Sequence, residues 1–177
     1  LNAVPLLEVA GISKRFGGLQ ALDAVAMRIG RGQIYGLIGP NGAGKTTFFN
    51  VITGLIKPDT GRFELDGKTY QPNSVHLVAA AGIARTFQNI RLFAEMTAQE
   101  NVMVGRHVRT RSGALAAVLR TPHARREEEQ IRARAKELLD YVGIGALGHL
   151  QARTLSYGDQ RRLEIARALA TDPKLLA

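Results

Sequence analysis

The sequence has no cysteine, which excludes disulfides and thiolate metal sites and fits a reducing compartment. No apolar run reaches the roughly 18 residues that a membrane-spanning helix needs. The opening stretch, Leu1-Asn2-Ala3-Val4-Pro5-Leu6-Leu7-Glu8, lacks the charged-then-apolar layout of a signal peptide. These absences point to the cytosol. Nor is charge concentrated anywhere: the formal net charge is +9, spread as +4 over residues 1–96, +4 over residues 97–155 and +1 over residues 156–177. That spread argues against a nucleic-acid-binding lobe and reads as a solvated surface with a basic lean, suited to phosphates or to the anionic cytoplasmic side of a membrane. What the chain does have is 177 residues, 45% hydrophobic and 22% charged, enough for one well-buried domain.

The most informative stretch is Gly39-Pro40-Asn41-Gly42-Ala43-Gly44-Lys45-Thr46-Thr47, which matches Gly-x-x-x-x-Gly-Lys-[Ser/Thr]. Glycines let the backbone turn tightly, so that successive N–H groups face one concavity, and a helix starting near Gly44 adds its partial positive charge. An anion is the natural occupant. Lys45 is placed to reach the β- and γ-phosphates of a nucleoside triphosphate, Thr46 to ligate Mg²⁺ through its hydroxyl, and Thr47 to lie near the α-phosphate. A chance lysine in a glycine-rich turn is the plainer explanation. The flanks argue against it: Gln33–Ile38 reads as a buried strand and Thr46–Thr53 as a helix stopped by Gly54, in the order the motif requires.

Upstream, residues 6–16 and 22–29, with Val25, Met27 and Ile29 alternating, read as antiparallel strands joined through Gly17-Gly18. Phe16, beside that glycine pair, is placed either to stack on an adenine ring or to sit in the core at a strand end. Lys57-Pro58-Asp59-Thr60-Gly61 is turn chemistry, Arg62–Gly67 a strand and turn, and Gly82–Phe87 another strand running into Gln88-Asn89. Polar groups just past a strand's carboxyl end are where open α/β sheets bind ligands. From Thr97-Ala98-Gln99-Glu100, a capping box, the texture becomes helical. Ala124–Val142 carries Ile131, Ala135, Leu138, Leu139 and Val142 on one stripe, with Arg125–Glu129 as a solvated opposite face. Leu155-Ser156-Tyr157-Gly158-Asp159 then opens a helix with Leu163, Ala166, Leu169 and Ala170 on its buried side, and Ser156-x-x-Asp159 has capping-box spacing in its own right. The last residues, from Asp172-Pro173 to Leu175-Leu176-Ala177, read as a turn and the first step of an apolar strand.

These pieces together resemble the ATP-binding cassette, the ATPase subunit of ABC transporters. Four ordered motifs carry the resemblance: Phe16 as the adenine-stacking aromatic, Gly39 to Thr47 as Walker A, Gln88 as the Q-loop glutamine, and Leu155 to Asp159 as the LSGGQ signature. It covers essentially the whole chain. Within the family, Ala84–Phe93, Glu100-Asn101-Val102, Val104–His107 and Leu155–Ala170 look like the LivG-type subunits of branched-chain amino acid importers. The implied fold is α/β: a P-loop NTPase cassette with a mixed-sheet core, an antiparallel β subdomain and an inserted α-helical lobe. As one ABC domain over residues 1–177, its nucleotide-binding core lobe would be residues 1–96 and 156–177, and its helical lobe residues 97–155.

The resemblance also implies a site and partners. ATP would contact Phe16, Gly39, Pro40, Asn41, Gly42, Ala43, Gly44, Lys45, Thr46, Thr47 and Gln88, with Thr46 and Gln88 serving Mg²⁺. Ser156 and Gly158 would reach the γ-phosphate held by a second ABC ATPase subunit stacked head to tail. A membrane permease, fed indirectly by a periplasmic solute-binding protein, would supply substrate choice, and the chain would sit peripherally on the cytoplasmic face of the inner membrane. Nucleic acid is not an expected partner. Two departures stand out: Tyr157 and Asp159 replace glycine and glutamine of the family signature, and the sequence ends at Leu175-Leu176-Ala177, where the Walker B strand would begin. The catalytic glutamate is therefore absent from the sequence, and with Leu1 in place of methionine a fragment that binds ATP without turning it over is an expectation. Other readings within reach are the ATPase of a lipopolysaccharide-type or other-solute transporter and a soluble ABC ATPase acting on DNA or ribosomes. The Tyr157-Gly158-Asp159 spelling leans away from the first, and the lack of sustained heptads between Gln88 and Leu155 from the second.

Overall fold

Alternating apolar residues draw Leu7–Phe16 (β1) and Leu19–Ile29 (β2) into an antiparallel hairpin that turns at Gly17-Gly18. The computed structural model describes residues 4–86, 91–106 and 122–177. Thr60–Leu65 (β3) pairs antiparallel with the other edge of β1, and Lys68–Thr69 (β4) folds back on β3 through the Asp66-Gly67 turn, giving the order β2-β1-β3-β4. Leu7, Val9, Ile12, Phe63 and Leu65 are buried on one face of this sheet. The helix Lys45–Ile52 (α1) buries Phe48, Val51 and Ile52, and its last turn is anchored by the buried Tyr70, whose hydroxyl donates to the Ile52 carbonyl at 3.2 Å. Phe63 meets the Tyr70 ring edge-on at 5.7 Å.

The chain divides into two compact units, one running up to Ala84 and joined by Ala177, the other Arg85–Leu176. The first also holds Val75–Ala81 (α2) and the short strand Ile83–Ala84 (β5), and the Ala177 N–H donates to the Ala84 carbonyl at 2.9 Å. α2 is an element that the apolar pattern does not announce. Ser74, whose Oγ accepts the Leu77 N–H, and Gly82, in the left-handed region at φ 113°, are its start and stop signals.

One expectation fails in this unit. Gln33–Ile38 forms no strand: it has no ladder partner among the described residues, and Ile34 and Ile38 are 104% and 94% exposed. A short apolar run marks the capacity to be a buried strand, whereas a strand exists only with a neighbour to complete its ladder. The Gly82–Phe87 run is likewise shortened to Ile83–Ala84, with residues 87–90 outside the described residues.

The second unit is helical: Ala98–Arg106 (α3), Pro122–Tyr141 (α4) and Tyr157–Leu169 (α5), with single turns of 3-10 helix at Gly145–Leu147 and Ala152–Thr154, and the short strand Leu175–Leu176 (β6). Its core gathers Val102, Ala135, Leu138, Leu139, Ile144, Leu155, Leu163 and Ala166. The stripes read from the sequence of α4 and α5 are thus the buried faces, and Arg132 pairs with Glu128 at 3.5 Å on the exposed side of α4. α3 begins with the expected capping box. The Thr97 N–H and Oγ1 both donate to Glu100 Oε2 at 2.8 Å, and the Glu100 N–H returns to Thr97 Oγ1 at 3.2 Å.

Candidate functional site

Residues 39–43 form an exposed turn that enters α1 through Gly44. Gly44 is the N-cap, at φ 81°, and offers no side chain to the helix end. The N–H groups of Lys45, Thr46 and Thr47, in the first turn, have no carbonyl one turn back to bond, and the first intrahelical bond is Phe48 N–H to the Gly44 carbonyl at 2.8 Å. A helix N-terminus of this kind favours an anion. Only glycine fits at 44. Besides its left-handed backbone, a Cβ there would lie 2.5 Å from the Ala21 carbonyl oxygen of β2, so the hairpin fixes the position of the loop. That close approach was not legible in the motif.

Lys45 lies over the loop, donating from Nζ to the Gly39 carbonyl at 2.6 Å and the Pro40 carbonyl at 2.7 Å. The charge therefore stands beside the turn that leads into the helix N-terminus. Thr46 is exposed one residue further on. Against the loop, an open cleft of about 170 Å³ is lined by Leu22, Met27, Phe48 and the loop's own Gly44 and Lys45.

Phe16 lies at the end of the β1–β2 hairpin, in the same unit as the loop, with 46% of its surface exposed and Lys14 Nζ 5.5 Å from the ring centroid. A core phenylalanine would be covered. Gln88 lies outside the described residues. Asn101 is a residue that sequence reasoning missed: it is fully buried on α3, its Nδ2 donates to the carbonyls of Phe93 and Thr97 at 3.0 Å, and its Oδ1 accepts the Phe93 N–H at 2.9 Å. It holds residues 93–97 against the helix. An asparagine on the apolar side of a capped helix is the signal that could have found it.

Ser156 and Gly158 belong to the second unit, at the start of α5. Ser156 Oγ accepts the Asp159 N–H at 3.2 Å and donates to Asp159 Oδ2 at 2.7 Å, while Arg162 Nη1 donates to Asp159 Oδ1 at 3.2 Å. Gly158 is exposed, and a Cβ there would meet nothing closer than Ser156 Oγ at 3.9 Å. Tyr157 is 68% exposed, and its hydroxyl accepts from Arg161 Nη2 at 3.0 Å. Arg161 also donates to the buried Glu164 at 3.1 Å, and these two bonds, that from Tyr157 first, raise the guanidinium pKa above its ordinary value.

A glycine-rich turn feeding a helix N-terminus, with an antiparallel sheet in the same unit and a helical second unit, is the architecture of an α/β nucleotide-binding ATPase cassette. The family model described as ABC transporter matches residues 22–177. Over 172 residues, 97% of this chain and 68% of the relative, the sequence is 45% identical to the high-affinity branched-chain amino acid transport ATP-binding protein BraF of Pseudomonas aeruginosa. With the same coverage it is 44% identical to the LivG protein of that description from Escherichia coli K12. Among solved structures, an ABC-transporter ATP-binding cassette in its ADP conformation superposes with a TM-score of 0.81 at 34% identity, covering 98% of this chain and 68% of that one. The chain belongs to the ATP-binding subunits of ABC transporters.

Proposed function

We propose that this subunit couples ATP binding and hydrolysis to the import of branched-chain amino acids through a membrane permease. The observation that carries the proposal is the 44–45% identity to two ATP-binding proteins described by that transport, over 97% of the chain. In this reading ATP lies on the rim formed by Gly39, Pro40, Asn41, Gly42, Ala43, Gly44, Lys45, Thr46 and Thr47, with Lys45 exchanging its two loop carbonyls for β- and γ-phosphate oxygens. Phe16 covers the base. Gln88 senses the γ-phosphate, and Ser156 and Gly158 meet the γ-phosphate of a nucleotide on a second subunit. Residues 1–96 with 156–177 act as the nucleotide-binding lobe and residues 97–155 as the helical one.

Mg²⁺ fits this site in one respect. No group of three or more His, Cys, Asp or Glu residues among the described ones could hold a metal by protein ligands alone. Mg²⁺ is commonly bound through one or two protein oxygens plus phosphates and water, and the exposed Thr46 hydroxyl is one such oxygen; in this proposal Gln88 would be the other. The ion would neutralise the charge that builds up on the transferred phosphoryl group. No helix among the described residues is long and apolar enough to cross a membrane. In this proposal the chain sits on the cytoplasmic face of the inner membrane, held there by the permease.

Uptake of labelled leucine, isoleucine and valine in cells whose gene for this chain is disrupted, with sulfate uptake as the control, tests the proposal. The expected result is loss of branched-chain amino acid uptake with sulfate uptake intact. Unchanged uptake of all three amino acids would refute the solute assignment.

A further inference from the structure

The acid at the fifth position of the signature carries a consequence for how that segment meets a phosphate. A serine hydroxyl has one proton to donate, and that of Ser156 is given to Asp159 Oδ2 at 2.7 Å. The same serine accepts the Asp159 N–H at 3.2 Å, closing a small ring of bonds at the head of α5. The other carboxylate oxygen, Oδ1, takes Arg162 Nη1 at 3.2 Å. A neutral amide at this position would bring no charge toward an incoming phosphate; a carboxylate does, and it competes with the phosphate for the serine proton. Arg162 offsets part of that charge, although its side chain is 56% exposed and the pair is correspondingly screened.

We propose that Asp159 occupies the Ser156 hydroxyl as an internal stand-in for a phosphate oxygen, and that Asp159 and Arg162 together set how tightly this segment takes the γ-phosphate of a nucleotide bound to a second copy of the chain. The proposal rests on the reading of Ser156 and Gly158 as contacts made across a dimer. Engagement requires the serine proton to swing from Oδ2 to a phosphate oxygen, with Arg162 left to hold the released carboxylate. Asp159 thus weakens association by favouring the unengaged arrangement, while stabilising α5 itself through its negative charge in the first turn. The two effects have opposite signs, which a merely structural role does not produce.

Sedimentation velocity of the whole chain with Mg²⁺ and a non-hydrolysable ATP analogue measures the dimer dissociation constant, and thermal unfolding without nucleotide measures the fold. Asp159→Asn keeps the shape and removes the charge. It is expected to lower the melting temperature slightly, yet to tighten the nucleotide-dependent dimer by about three- to tenfold, because the amide oxygen holds the serine proton more weakly than a carboxylate and brings no charge toward the phosphate. Arg162→Ala, which leaves the Ser156–Asp159 contact in place, is expected to weaken the dimer by about two- to fivefold with little change in melting, and to have no effect once Asp159 is Asn. With ADP in place of the analogue, none of these differences should remain. If Ser156→Ala abolishes the dimer while Asp159→Asn leaves it unchanged or weaker, the role of Asp159 is refuted and the trans contact stands. If Ser156→Ala has no effect, or if neither wild type nor Asp159→Asn forms a nucleotide-dependent dimer, the trans reading fails and the proposal with it.

Discussion

Lys45 and Phe16 differ in how much of their role belongs to the fold. The Lys45 ammonium is satisfied by two loop carbonyls, at 2.6 and 2.7 Å, so its removal leaves exposed oxygens that water can serve. Lys45→Ala should therefore cost little stability, whereas losing a charge-assisted contact to phosphate, worth about 1.5 to 3 kcal/mol, should weaken ATP binding by about ten- to a hundredfold. Calorimetric titration of the folded variant decides it. With 46% of its surface exposed, Phe16 contributes little to the core. Phe16→Ala should accordingly leave the melting temperature nearly unchanged while weakening ATP and GTP alike by about 1 to 3 kcal/mol, since every base presents a π face. A fall in melting temperature with undisturbed nucleotide affinity would assign the ring to the fold instead.

At the level of elements, the start of α3 and its packing on α5 each make a measurable demand. Glu100 accepts the backbone N–H and then the hydroxyl of Thr97, and both bonds hold its carboxyl below the usual carboxylate range. Asp59 is lowered in the same way by the Lys14 ammonium and then the Arg15 N–H. A depressed carboxylate pKa contributes stability that is present above the unfolded value and is lost as pH falls through the folded one. Melting temperature should thus decline on acidification below about pH 4, and Glu100→Gln should flatten that decline; an identical profile in the variant would remove Glu100 from the account. Gly105, inside α3, would ordinarily favour replacement by alanine, since glycine costs a helix about 1 kcal/mol. Here a Cβ would lie 2.4 Å from the Arg167 carbonyl oxygen of α5, a rigid backbone atom. Overpacking of about 1 to 3 kcal/mol should outweigh the propensity gain, and Gly105→Ala should lower the urea midpoint with an unchanged slope.

For the molecule as a whole, residues 33–38 present backbone with no ladder partner among the described residues and the side chains of Ile34 and Ile38 fully out in solvent. An unpaired apolar stretch is a template for association. Ile38→Lys should reduce concentration-dependent light scattering and dye binding without altering the melting of the β1–β4 sheet, to which Ile38 contributes no buried surface. If scattering persists, another surface drives the association.

The sequence by itself determined the local geometry and the identity of the family. Gly-x-x-x-x-Gly-Lys-Thr dictates a turn into a helix, Thr97-x-x-Glu100 and Ser156-x-x-Asp159 cap their helices by short-range bonds, and the stripes of α4 and α5 follow from a 3.6-residue period; all of these depend on neighbours a few positions away. What only the tertiary structure decided are contacts between residues far apart in the chain, for which no local signal exists. Among them are the Ala21 carbonyl that forbids any side chain at 44, the Tyr70 hydroxyl that anchors α1, and the Arg167 carbonyl pressed against Gly105. The same reason explains the failure at Gln33–Ile38: hydrophobicity is a property of the segment, but a strand is a property of the pair, and the pair is settled only when the chain has folded.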